Sequence, residues 1–268
     1  MKTTILGAIA GDIIGSLYEF HSTRNYNFNM FDKRMRPTDD SIMTVAIADW
    51  LLHDNRLSHE ILSNKMRKWG RKYPHAGYGS KFNAWLMDDI AEPYNSWGNG
   101  SAMRVSPIGF AFSTLEETLN VAKISAEITH NHPEGIKGAK ATAAAIYLAR
   151  IGQTKKEIKN FITTTFNYDL NKTCAEIRTN YIFHVSCPKS VPQSICAFID
   201  STDYESALRE TISLGGDADT MGAITGGIAS AFYKEIPNTI YEFAISKLTK
   251  EMKDIVTEFD SQFNFYTK

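Results

Sequence analysis

The chain has 268 residues, 43% of them hydrophobic and 22% charged, and its 29 basic and 30 acidic residues leave a formal net charge of −1. Such a composition belongs to a globular protein large enough to bury a substantial core, and it excludes a disordered or low-complexity chain. No basic tract is present to grip a polynucleotide by charge alone, and no apolar run reaches the roughly 18 residues of a membrane span.

The first twenty residues, "MKTTILGAIAGDIIGSLYEF", carry a Lys followed by an apolar run, as a short signal peptide would. Asp12 interrupts the run and no small-residue cleavage site follows, so the stretch reads as the first core helix. Gly7, Gly11 and Gly15, four apart, form a smooth stripe against which another backbone fits, and Asp12 and Glu19, seven apart, fall on a common face of that helix. Residues 21–37 are irregular and aromatic and are expected to form a loop on the surface. The next helix opens at "PTDDS" and places Ile42, Val45, Ala46, Asp49 and Leu52 at three- and four-residue steps. Ser58 caps another, "HEILSNKMRKWG", which ends at Gly70.

Irregular chain then surrounds one helical piece, "KFNAWLMDDI", and runs on through "AEPYNSWGNGSAM". Beyond it the period is helical again. Thr114 and Glu117 have capping-box spacing ahead of "LEETLNVAKISAEITH", and "GIKGAKATAAAIYLARIG", "YESALRETISLGG" and "DTMGAITGGIASAFYKEI" repeat the pattern. Gly222 and Gly226 face this last helix with glycine, as Gly7 and Gly11 face the first, and the pair predicts a tight crossing. The best strand-like stretch, "YIFHVS" from Tyr181, is short. The fold expected is all-α, a compact orthogonal multi-helix bundle in one domain over residues 1–268. Cys174, Cys187 and Cys196 form no CxxC pair and read as free thiols of a reducing cytoplasm.

Two places concentrate acid. Asp39 and Asp40 follow Thr38 and Pro37 at one helix entry; Asp217 and Asp219 precede Thr220 at another. Residues two apart within a helix point about 200° away from each other, so Asp217 and Asp219 face one ion only on the entering turn, which Gly215 and Gly216 supply. Four gathered carboxylates repel one another unless a cation sits among them. Oxygen-only ligands suit a hard cation, Mg²⁺, Mn²⁺ or Ca²⁺, rather than zinc or copper. Gly98 and Gly100 let backbone N–H groups approach an anion, and a helix starting at Ser101 adds its dipole. The "HNH" of residues 130–132 offers either a metal pair without a third nitrogen or sulfur ligand, or a cap for the helix at "PEGIKGA".

Five motifs in order, "GAIAGDIIGSLYEF", "PTDDS", "SWGNGSAMRVSPIG", "ITHNHPEGIKGA" and "GGDADTMGAITGGIASAFY", spread over most of the chain, and together they resemble the ADP-ribosylglycohydrolase family. The resemblance implies an all-helical fold with two Mg²⁺ or Mn²⁺ ions in a central cleft. It carries metal ligation to Thr38, Asp39, Asp40, Asp217, Asp219 and Thr220, and the family glutamate to Glu19. It carries substrate binding to Ser96, Trp97, Gly98, Asn99, Gly100 and Ser101, and to His130, while His132 and Glu134 match less closely. Glu19 and Asp40 are the expected catalytic carboxylates, with Glu19 open between a general base and a metal ligand.

The implied reaction is hydrolysis at C1″ of an ADP-ribosylated protein or small molecule, arginine-linked in the first instance. Serine-, O-acetyl- and nucleic-acid-linked ADP-ribose are the alternatives. The leaving group would be read by the loops "HAGYGSKFNAWLMDD" and "HSTRNYNFNMFDKRMRP", with Asp88 and Asp89 the nearest acids for an arginine. Trp97, or an aromatic of residues 21–37, would stack on adenine, and no membrane partner is expected of what reads as a monomer. The competing classes are a two-metal phosphoester or diphosphate hydrolase, since acidic Mg²⁺ clusters serve that chemistry too, and a non-catalytic ADP-ribose-binding module.

Overall fold

The computed structural model describes residues 4–263, and among them the regular structure is fifteen α-helices. They are α1 (Leu6–Gly15), α2 (Asp39–His53), α3 (His59–Lys72), α4 (Ser80–Met87), α5 (Gly100–Met103), α6 (Ser106–Ala111), α7 (Leu115–Glu127) and α8 (Pro133–Arg150). The second half adds α9 (Lys155–Phe166), α10 (Cys174–Asn180), α11 (Cys187–Asp200), α12 (Tyr204–Ile212), α13 (Ala218–Tyr233), α14 (Asn238–Lys247) and α15 (Lys250–Phe263). The all-α class expected from the period is the class observed.

At the centre α1 lies against α13. Every residue of α1 is buried, so this helix is apolar all round rather than amphipathic. The predicted glycine contact forms: a Cβ on Gly11 would stand 2.0 Å from the Gly222 carbonyl oxygen, and one on Gly222 would stand 2.4 Å from that of Gly11. Gly7 meets Gly226 and Ser230, and Gly15 meets Ala218, in the same way. The Tyr204 hydroxyl pins the crossing by donating to the Gly7 carbonyl at 2.6 Å. Because the two backbones touch, the N-terminal turn of α13 is brought beside α1, and α2 packs across the same end.

Several helix starts follow their local signals. Thr38 caps α2, Ser58 caps α3 and Thr114 caps α7, each accepting a backbone N–H of the first turn. His132 caps α8, its Nδ1 accepting from Glu134 N at 3.1 Å, so the capping alternative is the one that forms. Helices α9 and α10 were not singled out by period, yet both carry complete capping boxes, Thr154 with Glu157 and Thr173 with Glu176.

Other expectations give way. "YIFHVS" forms no strand; it is an extended connection whose one β-bridge pairs Gly98 with Ser186. Helix α4 stops at Met87, short of Asp88 and Asp89, and α5 starts at Gly100 rather than Ser101 and lasts a single turn. Residues 21–37 do not merely lie on the surface: Phe28, Met30 and Met35 are buried, and Arg209 holds the carbonyls of Tyr26 and Phe28 at 3.2 Å. All three cysteines are free and buried. No helix among the described residues is long and apolar enough to cross a membrane.

Candidate active site

A cleft of about 500 Å³ opens where α1, α2 and α13 converge, and it is lined by Glu19, Asp39, Asp40, Asp217, Asp219 and Thr220 on one side. Ser96, Gly98, Asn99, Gly100 and His130 line the other side, with Tyr94 and Arg104. The two acidic turns, far apart in the chain, thus meet. Carboxylate oxygens of Asp12, Asp40 and Asp219 lie within 4.8 Å of one another, and so do those of Glu19, Asp217 and Asp219. Asp217 stands at the cap of α13 just after Gly215, whose φ of +77° makes the turn, and Asp219 sits in the helix's first turn. That entry geometry is what lets two acids two residues apart face one point.

Asp12 is the site residue that sequence reasoning left without a role. It is fully buried, and its Oδ2 accepts from the backbone N–H groups of Thr38 and Ser41, both at 3.0 Å, and from the Ser41 hydroxyl. Its Oδ1 takes the Thr38 hydroxyl proton at 2.6 Å. An anion from α1 therefore satisfies the orphan donors at the start of α2 and fixes the turn that carries Asp39 and Asp40. The Thr38 oxygen in turn accepts from Asp40 N at 3.3 Å, which leaves it one further lone pair. An acid inside an otherwise apolar helix was the signal that could have found it.

Glu19 reaches the cluster by a route the sequence did not suggest. Helix α1 ends at Gly15, Tyr18 N turns back to the Gly15 carbonyl at 2.7 Å, and Glu19 projects from that turn, not from a helix face shared with Asp12. Asp39 lines the cleft but lies outside both close carboxylate groups.

The electrostatics are those of a crowded anionic pocket. Burial, reinforced by the charge of Asp217, pushes Glu19 up to about 7, and burial together with the charge of Asp12 pushes Asp39 up to about 8. Asp40 and Asp219 are driven well above the carboxylate range by burial and by their acidic neighbours. Asp40 Oδ2 accepts from the Thr220 hydroxyl at 3.3 Å and lies 3.2 Å from the Thr38 oxygen, whose proton goes to Asp12, while its buried Oδ1 has no hydrogen-bond partner among the described residues. A buried carboxylate oxygen left bare among other carboxylates, with two threonine hydroxyl oxygens beside it, fits a hard divalent cation.

The loop side divides the expected binding residues. Gly98 and Gly100 face His130, whose Nε2 lies 3.0 Å from where a Cβ on Gly100 would sit. Ser96 Oγ accepts from Gly98 N at 3.1 Å and so shapes the turn. Trp97 is 59% exposed and does not line the cleft; its ring stands edge-on to His132 at 5.2 Å. Asn99 reaches the acids: its side-chain amide donates to Asp217 Oδ2 at 2.7 Å and to Ser190 Oγ at 3.1 Å. Ser101 is buried away from the cleft and donates to the Gly135 carbonyl at 2.7 Å, joining α5 to α8. Asp88 and Asp89 do not line the cleft either, and Asp89 pairs with Arg71 at 2.6 Å on the surface.

An all-helical chain that gathers this many carboxylates in one cleft, beside a glycine loop and a histidine, has a site whose acids could hold a metal ion. The family model described as ADP-ribosylglycohydrolase matches residues 1–258, and the chain belongs to that family of enzymes that hydrolyse glycosyl bonds. It is similar to the ADP-ribosylhydrolase ARH3 of Homo sapiens, 26% identical over 304 residues, with 85% of this chain and 84% of that protein covered. It is also similar to the ADP-ribosylarginine hydrolase Tri1 of Pseudomonas putida, 23% identical over 299 residues, covering 97% of this chain and 79% of that one. A solved structure, an ADP-ribosylglycohydrolase-related protein complex, shares the fold with a TM-score of 0.73 at 22% identity, over 96% of this chain and 95% of that one.

Proposed function

We propose that this enzyme hydrolyses the C1″ glycosidic bond of an ADP-ribosylated acceptor, ADP-ribosyl-arginine in the first instance, releasing ADP-ribose and the free acceptor. The observation that carries the proposal is the bare, buried Asp40 Oδ1 among the joined acidic turns. Thr38, Asp39, Asp40, Asp217, Asp219 and Thr220, with Glu19 at the edge, would hold two divalent cations, Mg²⁺ or Mn²⁺. When bound, those cations supply Lewis acidity, orienting the ribose hydroxyls and lowering the pKa of the attacking water.

The chain's own groups do the rest. Asp12 holds the turn of α2 by its four hydrogen bonds and keeps Asp39 and Asp40 aimed into the cleft. Glu19, at the edge of the acidic turns, accepts a proton from the attacking water. The surrounding carboxylates favour positive charge building on the ribose as the bond to the acceptor breaks. The Gly100 N–H and the His130 ring hold the diphosphate, and Trp97, exposed on the same loop, stacks on adenine. The arginine linkage is favoured by the likeness to an ADP-ribosylarginine hydrolase and by an acidic cleft suited to a cationic leaving group. The protein acts as a monomer in a reducing cytoplasm, where its three buried thiols stay free.

Incubation with arginine-, serine-, O-acetyl- and nucleic-acid-linked ADP-ribose, with Mg²⁺ and with Mn²⁺, tests the proposal. Free ADP-ribose with its diphosphate intact is expected, fastest from the arginine linkage, and Asp39→Asn should lose turnover while keeping its helical circular dichroism. AMP with ribose phosphate would instead mean diphosphate hydrolysis, and binding of ADP-ribose without turnover of any linkage would mean a binding module. Full activity of Asp39→Asn after chelation and metal repletion would end the two-cation proposal.

A further inference from the structure

Behind the glycine loop runs a short polar chain that the acidic centre does not use. Arg104 is fully buried, and its Nη2 donates to the Thr129 hydroxyl oxygen at 2.9 Å and to the Ser125 carbonyl at 2.8 Å. Thr129 Oγ1 stands 2.8 Å from His130 Nδ1. A guanidinium can only donate, so one lone pair of the Thr129 oxygen is taken, and the hydroxyl proton has His130 Nδ1 as its acceptor in hydrogen-bond reach. Were Nδ1 to carry the ring proton instead, Thr129 would accept twice and its own buried proton would be wasted, at a cost of about 1–3 kcal/mol.

We infer that Arg104 and Thr129 are positioning residues that hold His130 in its neutral Nε2–H tautomer, so that it presents a hydrogen-bond donor to an anionic ligand at the glycine loop. The ring's place supports this. Nε2 lies 3.0 Å and 3.4 Å from where Cβ atoms on Gly100 and Gly98 would sit, so the donor faces the stretch where backbone approaches most closely. Tyr94, tilted by 59° at 5.9 Å, closes the other flank. Burial, together with the charge of Arg104, keeps the imidazole well below its ordinary pKa, so the donor carries no charge of its own. A neutral donor grips a phosphate oxygen without competing for the cations that the acidic turns attract. The ligand, the diphosphate of ADP-ribose, rests on the function proposed above; the tautomer does not.

The test uses ¹⁵N-histidine-labelled protein, with the His130 signals assigned by their loss in His130→Gln. The native protein is expected to show the Nδ1-acceptor, Nε2–H pattern, unchanged on lowering the pH to 6. Thr129→Val should give a mixture of tautomers and weaken ADP-ribose binding about tenfold, with KM rising far more than kcat falls, and Thr129→Ser should restore both. An Nδ1–H pattern in the native protein overturns the relay, whatever the stability of the variants. So does a Thr129→Val protein with unchanged spectrum and affinity. Native protein with the Nε2–H pattern but no affinity for ADP-ribose would leave the tautomer standing and overturn the ligand, and with it the hydrolase proposal.

Discussion

Asn99 shows how much a single side chain's partner decides. In a glycine loop it could serve a phosphate, yet its amide spans from Ser190 to Asp217, and Ser190 in turn donates to the His184 carbonyl at 3.0 Å. One oxygen of Asp217 is thereby oriented, as residues behind a metal ligand commonly arrange. Asn99→Ala should weaken Mg²⁺ or Mn²⁺ binding by about tenfold or more, read by calorimetry on the metal-free protein. Unchanged metal affinity would return Asn99 to a substrate-only role. Asp12 is its counterpart on the other turn, a carboxylate whose donors are all internal and whose work is orientation.

At the scale of elements, the α1–α13 crossing is the part with least tolerance. A Cβ added at Gly222 would meet the Gly11 carbonyl oxygen at 2.4 Å, backbone against backbone, with no flexible side chain to yield. Gly222→Ala should therefore cost about 3 kcal/mol, measured by urea unfolding, in line with overpacking elsewhere. It should also lower activity beyond the loss of folded protein, because α1 carries Asp12 and α13 carries Asp219, and prying them apart opens the cluster. A variant with native stability and activity would show that this contact relaxes freely.

Across the whole molecule, the acidic centre sets protons against cations. Glu19 and Asp39 bind protons in the folded metal-free protein up to about pH 7 and pH 8, far above their ordinary values near 4. Folded chains then hold more protons than unfolded ones, so their contribution to stability is complete at about pH 4 and is lost as the pH rises through 7 and 8. A bound cation replaces those protons and removes the loss. The expected outcome is a melting temperature with EDTA that falls away from the curve with Mg²⁺ as pH rises from 5 to 8. A constant gap would mean the carboxylates are not titrating in the fold.

Much of this architecture was legible in the chain because its signals are local. Helical period, Thr38, Ser58 and Thr114 as caps, the glycine stripes, and acids placed on two helix entries all act within a turn or two of their own positions. Those features by themselves determined an all-α protein with two acidic corners and one tight crossing. Only the tertiary structure decided that Asp12 braces α2, that Asn99 serves Asp217 across 118 residues, that Ser101 faces away, and that Glu19 arrives from a turn. Those outcomes depend on which helices touch, and a side chain's partner at such separations is chosen by packing and by the need to satisfy every buried polar atom, neither of which is written in any neighbouring residue.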